Sequence, residues 1–317
     1  MASPVTVFRS TDDGAPQLDA TPISMFNVIK ACLIDGYGGK SPLGWSILFE
    51  DLTRGMVVLE NATNSGVVRF SCENDAPDVT NGDTIIQVAK SASDVDTLIG
   101  TLPLLNRASS SSGIWWEIIG TDRGCHIIRH YSAHDDMYTS TSSAHWHVFI
   151  GDIDCYNAND AGRFTMVTGA LVGNDNSSTS SSYSIGGSSI QSCELHDTDG
   201  VIHYEAYSST ATSWEYATSS ATYNRNDIDS TNFELVLTPC VLNNNARTGT
   251  DRNGTLTLVS DVAPYVRGIV TGLYRMSIGS YHDGTPWPID RTFNGLPYTK
   301  VRGANAGLLW IKTDEWY

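Results

Sequence analysis

The segment from residue 4 to residue 49 constrains the fold most, because it carries the strongest helix signal in a chain otherwise rich in strand patterns. Thr21 can cap a helix by accepting a hydrogen bond from a backbone N–H, and Pro22 suits the first helical position. Gly36 stands where a left-handed residue ends a helix. Between these ends, apolar residues recur at helical spacing, namely Met25, Ile29, Cys32 and Leu33. The segment therefore predicts a helix over about residues 21–35.

A strand is predicted on each side of this helix, at Val5–Phe8 and at Trp45–Phe49, and we expect the helix to pack on a sheet that contains both. Most of the remaining chain consists of short apolar or alternating segments separated by Gly, Asn, Asp and Ser, which is typical of antiparallel hairpins. A second, shorter helix is predicted within residues 93–105, with Ser93 as its cap and Gly100 as its stop. These signals favour an α+β fold that is mainly β, with antiparallel sheets arranged like a β-sandwich and one main N-terminal helix.

The 317 residues are enough for one large domain or two ordinary ones. We expect an α+β domain over residues 1–160, with the helix and an antiparallel sheet, and an all-β domain over residues 161–317. The second domain contains a Ser-rich loop at 173–189. The alternative is that the two halves form one continuous fold.

Composition bears on several functional classes. The chain has no run of about 18 apolar residues, so we expect no membrane span. Its N-terminus lacks the charged start and apolar core of a signal peptide. The net charge of −16 disfavours general nucleic-acid binding, because an acidic surface repels phosphates.

The six cysteines are spread singly along the chain, with no CxxC pair and no zinc-ligand spacing. A chain of this size does not need disulfides for stability. We therefore expect reduced, mostly buried thiols, with disulfide formation in an oxidising environment as the alternative. The residues are Cys32, Cys72, Cys125, Cys155, Cys193 and Cys240.

Several segments resemble a family of virion structural proteins of tailed bacteriophages. RSTDDGAPQL, the helix end ACLIDGYGGK and the GW that follows are similar to the family's basic strand, GAP-type turn and helix with a glycine-rich end. The resemblance continues through residues 113–132 and 147–164. It fades in the second half, where residues 267–276 and 308–317 are similar in character only. Many relatives have a long insertion after the glycine turn, where this chain has only Ser41 to Trp45.

The resemblance covers roughly half of the chain and rests on turns and strands rather than on reactive residues. It implies a component of a virus particle, and it transfers no active site to this sequence.

Histidines supply the metal-ligand candidates, since five of the eight lie between residues 126 and 147. The segment HWHVFIGD predicts a strand with His145 and His147 on one face, because strand side chains alternate. The opposite face takes Trp146, Val148 and Ile150. A divalent metal here would use His145 and His147, with His134 or Asp135 as a third ligand. The interpretation that we favour has no metal, with these histidines hydrogen-bonded to their neighbours.

Carboxylates form the second group of candidates. Asp152, Asp154 and Asp160 lie within GDIDCYNAND, and Asp197 and Asp199 lie within HDTDG. Alternating Asp and Asn can bind calcium through oxygen ligands, but the same residues make the local hydrogen bonds of turns, and we favour the turn role. A glycosidase would need two carboxylates at a fixed separation across a cleft, which sequence cannot show.

No nucleophile elbow, phosphate-binding loop or zinc-protease motif occurs, so we expect no enzyme and no cofactor. The aromatic, proline-containing segment 279–291 suits a protein–protein contact. The alternative is a packed loop that covers the end of a sheet. The partner-contact candidates are Tyr281, His282, Trp287 and, in the Ser-rich loop, Tyr183.

The resemblance implies a structural component of a tailed-phage virion, assembled in the bacterial host cytoplasm. We place it in the tail or the head–tail region, at the neck or baseplate, as a homo-oligomer that binds other virion proteins. One alternative is a head decoration protein. Another is a tail protein that binds or degrades a glycan of the host surface, with exposed aromatic residues that stack on sugars.

Overall fold

The computed structural model describes residues 2–109, 114–130, 145–168, 185, 192–201, 204–209, 237–244, 249–250, 256–257, 264–276, 287–301 and 309–317. In this part of the chain the fold is mainly β, with several antiparallel sheets and a single helix of 14 residues, which confirms the predicted class. No helix in the described ranges has the length and apolarity needed to cross a membrane.

The helix α1 spans Pro22–Lys30 and continues as a π-helical turn over Ala31–Asp35. A 3-10 turn spans Glu73–Asp75. The strands, in chain order, are β1 (Ser3–Pro4), β2 (Thr6–Arg9), β3 (Ser46–Asp51), β4 (Met56–Glu60), β5 (Val67–Cys72), β6 (Asp83–Ala92), β7 (Leu98–Ser109), β8 (Trp115–Gly120), β9 (Gly124–His130), β10 (His145–Asp152), β11 (Asp154–Cys155), β12 (Phe164–Val167), β13 (Ser192–His196), β14 (Tyr204–Ser209), β15 (Leu237–Asn244), β16 (Gly249–Thr250), β17 (Leu256–Thr257), β18 (Val266–Met276), β19 (Asp290–Phe293), β20 (Leu296–Lys300), β21 (Leu309–Lys312) and β22 (Glu315–Trp316).

The ends of α1 follow the local sequence signals. The Thr21 side chain accepts a hydrogen bond from the Ser24 backbone N–H at 3.4 Å, and Pro22 is the first helical residue. At the other end, the Gly36 N–H donates to the Ala31 carbonyl at 2.8 Å, and Gly36 has a φ of +77°, which glycine adopts most easily. The predicted cap, first turn and stop residue are therefore confirmed.

Three sheets make up most of the described structure. The helix-side sheet has the order β3-β4-β5-β6-β7, and the central sheet has the order β12-β10-β9-β8-β2. The far sheet has the order β13-β14-β15-β18-β21-β20-β19, with β11 pairing on β18. The predicted hairpins at residues 55–72 and 113–132 are confirmed as β4–β5 and β8–β9.

The central sheet is buried on both faces. Every residue of β9 is buried. One face joins α1 and the helix-side sheet in a first hydrophobic core, to which β10 contributes Trp146, Val148 and Ile150. The other face meets the far sheet in a second core, to which β10 contributes Phe149. This alternation along β10 confirms the predicted faces.

Two predictions about the first half were wrong. The strands at Val5–Phe8 and Trp45–Phe49 belong to different sheets, because β2 pairs with β8 while β3 pairs with β4. The predicted helix at 93–105 is wrong, because residues 98–105 belong to strand β7 and residues 93–97 precede it without forming a helix. Leu102 and Leu104 are both buried, so the apolar period there is two, as in a strand.

Several strand pairs connect the two halves of the chain. Strand β12 pairs with β10, β11 pairs with β18, and β1 pairs with β22. The division at residue 160 stays a prediction. Five of the six cysteines are buried and Cys155 is half-buried, so the predicted burial of the thiols is confirmed for five.

Candidate functional site

Polar side chains are concentrated on the face of the central sheet that meets the far sheet. A residue two positions away from an apolar member of the second core lies on the same face of its strand, because successive side chains alternate between the two faces. We call this set the buried polar face, and its members are Arg9 on β2, Glu117 on β8, His126 and His130 on β9, and His147 on β10. Four of the five are fully buried residues, and the side chain of Arg9 is 16% exposed.

Arg9 links the central sheet to the far sheet. Its Nε donates to Glu117 Oε1 at 2.8 Å. Its two terminal nitrogens donate to the two oxygens of Asp290 at 3.1 and 2.7 Å, and Nη2 also donates to Thr299 Oγ1 at 3.1 Å. Burial raises the pKa of Glu117, and the charge of Arg9 opposes that rise. One guanidinium thus ties β2 and β8 to the β19–β20 hairpin.

His126 and His147 form a hydrogen-bonded pair inside the second core. His126 Nε2 lies 2.8 Å from the Thr271 carbonyl oxygen, which can only accept, so this nitrogen carries the hydrogen. His126 Nδ1 then accepts from His147 Nε2 at 2.9 Å. Burial lowers the pKa of His126 to about 4. The imidazole is therefore neutral at pH 7 and connects β10, β9 and β18.

Trp287 lies in the interior and packs on residues of this same chain. It is 6% exposed. Its ring centroid is 4.6 Å from that of His130 and 5.8 Å from that of Trp115. Trp287 is therefore packed within this chain, as the alternative interpretation of segment 279–291 expects of it. Tyr281, His282 and Tyr183 lie outside the described residues, so their partner contacts stay predictions.

Asp152, at the end of β10, is the junction of the three sheets. Its side chain is 0% exposed and accepts hydrogen bonds from Arg163 Nε at 2.9 Å and from Arg123 Nη2 at 3.2 Å. It also accepts from Asn61, Thr63 and Ser65, in the turn between β4 and β5. The helix-side sheet is thereby fixed to the central sheet.

The backbone of Asp152 reaches the far sheet and the last residue of the sequence. Its carbonyl accepts from Thr271 Oγ1 at 2.9 Å and from the Tyr317 hydroxyl at 2.7 Å. The guanidinium of Arg123 lies 3.7 Å from the centroid of the Tyr317 ring, a cation–π contact. Side chains from both halves of the chain therefore meet at one residue.

A second buried ion pair joins Asp160 and Arg267. Both side chains are 0% exposed, and Arg267 donates to both carboxylate oxygens, with Nη2 at 2.7 Å from Oδ1. Arg267 Nη2 also donates to the His196 carbonyl at 2.6 Å, and its guanidinium carbon lies 5.6 Å from the centroid of the Tyr207 ring. The pair ties the loop after β11 to β18, β13 and β14.

These contacts account for several predicted site residues. The Asp–Asn segment has the local hydrogen bonds of turns, since Asn157 accepts from the Asn159 N–H and Asp160 from the Gly162 N–H. Asp152 and Asp160 bind arginines, as described above. Asp199 accepts from the Val201 N–H in the β13–β14 turn. The turn role is thus observed for Asn157, Asp160 and Asp199, whereas Asp152 instead binds arginines and the β4–β5 turn.

The metal hypothesis concerns residues that lie mostly outside the described part of the chain. His134 and Asp135 are there, and His145 is described by its backbone only. His147 directs one nitrogen to His126. Within the described ranges, no three His, Cys, Asp or Glu side chains are grouped as metal ligands would be. The metal candidates stay predictions.

The arginines were not among the predicted site residues. Arg9 and Asp290 are 281 positions apart, and Arg267 and Asp160 are 107 apart. The only signal in the sequence was the excess of acids, 35 Asp and Glu against 19 Lys and Arg. This excess means that an acidic partner is available for any cation that becomes buried.

Comparison with known proteins does not assign the chain to a family. No protein-family model matches it, and no curated protein is significantly similar to it.

Proposed function

We propose that this chain is a structural component of a tailed-phage virion, in the tail or head–tail region, which assembles symmetrically with other virion proteins. The observation that carries the proposal is the resemblance described above, in segments between residues 9 and 45 and in residues 113–132 and 147–164. In the structure these segments include α1, the last residue of β2, the strands β8 and β9, most of β10, and the short strand β11. The resemblance therefore falls on the helix and the central sheet, the part that organises both cores.

The arrangement of charged groups supports a structural role. The buried carboxylates Asp152, Asp160 and Glu117 each contact an arginine from another part of the chain. Each contact joins separate strands or turns, as expected for a subunit that has to keep its shape within an assembly. Such a protein acts through surface complementarity, and no reaction is needed.

The glycan-degrading alternative needs two carboxylates that face an open cleft. Glu117 has the raised pKa expected of a general acid. Its side chain is 0% exposed, however, and its Oε1 is bound by Arg9. Burial behind Arg9 favours the structural role over hydrolysis at this residue.

Quantitative mass spectrometry of purified particles, scaled to the major capsid protein, tests the proposal. Closed cyclic symmetry on the neck or tail axis predicts roughly six or twelve copies per particle. A count on the order of hundreds would favour the head-decoration alternative or a tail lattice. Absence of the chain from purified particles would contradict the proposal.

A further inference from the structure

The helix-side sheet and the far sheet meet directly where two edge strands lie side by side. β7 is the last strand of the helix-side sheet, and β13 is the first strand of the far sheet. We call this contact the β7–β13 seam. No backbone ladder joins the two strands in the described residues, and side chains join them instead. Glu194 Oε2 accepts from the Leu104 N–H at 2.7 Å, and His196 Nε2 donates to the Gly100 carbonyl at 2.9 Å.

An irregularity in β7 supplies the N–H that Glu194 binds. The pairing of β7 with β6 shifts register between Gln87 and Ala89, so that three residues of β7 lie opposite one residue of β6. The middle one of the three is Pro103, which has no N–H to donate. The next is Leu104, whose N–H donates across the seam to Glu194. The seam therefore depends on a carboxylate where a regular ladder would use the backbone.

Glu194 differs from Asp152, Asp160 and Glu117, because each of those buried carboxylates binds an arginine. Glu194 is 1% exposed and forms no ion pair with a described residue. Its second oxygen, Oε1, is buried and accepts no hydrogen bond from the described residues. Burial raises the pKa of Glu194, and the hydrogen bond from Leu104 opposes that rise. The seam thus favours the neutral form of this carboxyl group.

The strands that pack against Glu194 from the other sheets contribute no counter-charge. On β12, Thr165 Oγ1 donates to the Glu194 carbonyl at 2.6 Å, and none of the four residues of this strand is titratable. The one charged residue of β7 is Arg107, which pairs with Glu73. On β6, Lys90 is exposed and donates to a carbonyl of the β13–β14 turn.

The titratable groups of β13 and β14 lie beside Glu194 in the register. On β13, His196 is two residues away and faces β7 as Glu194 does, whereas Cys193 belongs to the second core. On β14, Ala206 is opposite Glu194. The titratable residues of β14 are Tyr204, Glu205 and Tyr207, which are opposite His196, Leu195 and Cys193.

We propose that the β7–β13 seam is a pH-sensitive switch, closed while Glu194 is neutral and open when it is ionised. An ionised Glu194 can reach water only if β13 moves away from β7. Opening exposes the edges of both strands, and a free edge is the part of a sheet that pairs with another chain. The switch thus connects pH to the availability of two strand edges. It does not depend on the proposed place of the chain in a particle.

The direction of the effect follows from where the proton is bound. The ordinary pKa of a glutamate is 4.5, and the pKa of Glu194 in the closed seam is higher. Between these two values the closed seam holds a proton that the open seam releases. A rise in pH through this window therefore favours opening, by up to roughly tenfold per pH unit in the opening equilibrium. Above the folded pKa the effect levels off.

Hydrogen–deuterium exchange of the wild-type protein at several values between roughly pH 5 and pH 8 tests the switch. The rates are corrected for the intrinsic pH dependence of amide exchange. We expect the protection of the Leu104 amide to fall as the pH rises, by up to roughly tenfold per unit, and then to level off. Protection that stays constant or increases across this range would overturn the proposal, and this outcome needs no variant.

Glu194→Gln is the matched variant, because its amide oxygen can accept from the same N–H and never ionises. Its Leu104 protection should be independent of pH and should exceed that of the wild type at the highest pH. His196→Gln keeps a donor for the Gly100 carbonyl and leaves Glu194 in place, so it should retain the wild-type fall. A fall that persists in Glu194→Gln, or one that disappears in His196→Gln, would contradict the role of Glu194.

Discussion

The two faces of the central sheet present different kinds of side chain. The face toward α1 and the helix-side sheet presents mainly aliphatic and aromatic side chains, such as Trp116 and Val148. The face toward the far sheet places Glu117 and His126 among apolar residues such as Ile128. One sheet thus buries a mainly apolar surface on one side and a mixed surface on the other.

This difference shows which contacts determine the position of one sheet relative to another. Burial of apolar area stabilises by about 25 cal/mol per Å² and has no preferred direction, so the apolar residues of the first core specify mainly volume and shape. On that side the directional contacts described above lie at the edge, between Asp152 and the β4–β5 turn. Buried polar groups need partners at fixed positions, because an unsatisfied one is costly. The second face therefore determines where the far sheet docks. The predictions below test that contrast from the largest expected effect to the smallest.

Arg267→Met should have the largest effect. It leaves the buried Asp160 without its cation and removes the bond to the His196 carbonyl. Breaking a buried pair in this way costs about 3–5 kcal/mol. Urea denaturation of the wild type and the variant measures the cost.

The double variant Arg267→Met/Asp160→Leu is the matched control, because it removes both charges and should recover part of the loss. A cost of less than about 1 kcal/mol for the single variant, as at an exposed ion pair, would contradict the account.

Acid should destabilise the protein through His126. Its pKa is about 4 in the folded protein, whereas an unfolded histidine titrates near 6.5. The unfolded state therefore binds the proton first, so the contribution of His126 is complete above about pH 6.5 and is lost as the pH falls toward 4. The expected loss over that window is about 3 kcal/mol.

Urea denaturation at a series of pH values measures this slope, and His126→Gln supplies the control. The contacting group His147 and the other buried titratable residue of this face, Glu117, remain in that variant, so only the part of the slope due to His126 should disappear. An unchanged slope in His126→Gln would show that other groups cause the acid sensitivity.

Gly272→Ala should cost about 2 kcal/mol more than Gly295→Ala. Both glycines have positive φ, +73° and +80°, so both substitutions carry the same backbone strain. At Gly272 the added Cβ would lie 2.3 Å from the buried Trp316 ring, while at Gly295 it meets nothing within 4 Å. Thermal melts of the two variants isolate the packing cost, and equal melting temperatures would contradict tight packing of β22 on β18.

Asp290→Ala should have the smallest effect, less than about 1 kcal/mol. Its side chain is 54% exposed at the rim of the second face, where water screens the pair with Arg9. The effect should shrink further in 1 M salt. A cost above about 2 kcal/mol would mean that Arg9 depends on Asp290 to hold Glu117 in place.

Local signals predicted the helix and hairpins well, because caps, turns and alternation depend on neighbouring residues. Thr21, Pro22 and Gly36 fixed the ends of α1. The assignment of strands to sheets depends on packing between distant segments, so β2 and β3 were wrongly placed in one sheet. At 93–105 the polar start resembled a helix cap, while the alternation of Leu102 and Leu104 into the core determined the strand.

The candidate site was less accessible to sequence reasoning. Alternation placed His147 on a definite face of β10. It did not reveal that His147 pairs with His126, or that His126 binds the carbonyl of Thr271, which lies 145 residues away in the chain. The same holds for Arg267 and Asp160. Contacts of this kind arise from topology, which the spacing of residues along the chain does not reveal.

The most direct test of the central claim, that the central sheet joins both outer sheets into one unit, is hydrogen–deuterium exchange on the wild type and on Arg267→Met. Arg267 lies in β18 of the far sheet, whereas β9 is the fully buried strand of the central sheet. The account predicts that the amides of β9 and β18 lose protection together in the variant, by the same free energy. Retention of wild-type protection in β9 while β18 exchanges freely would contradict it and would support two separate domains.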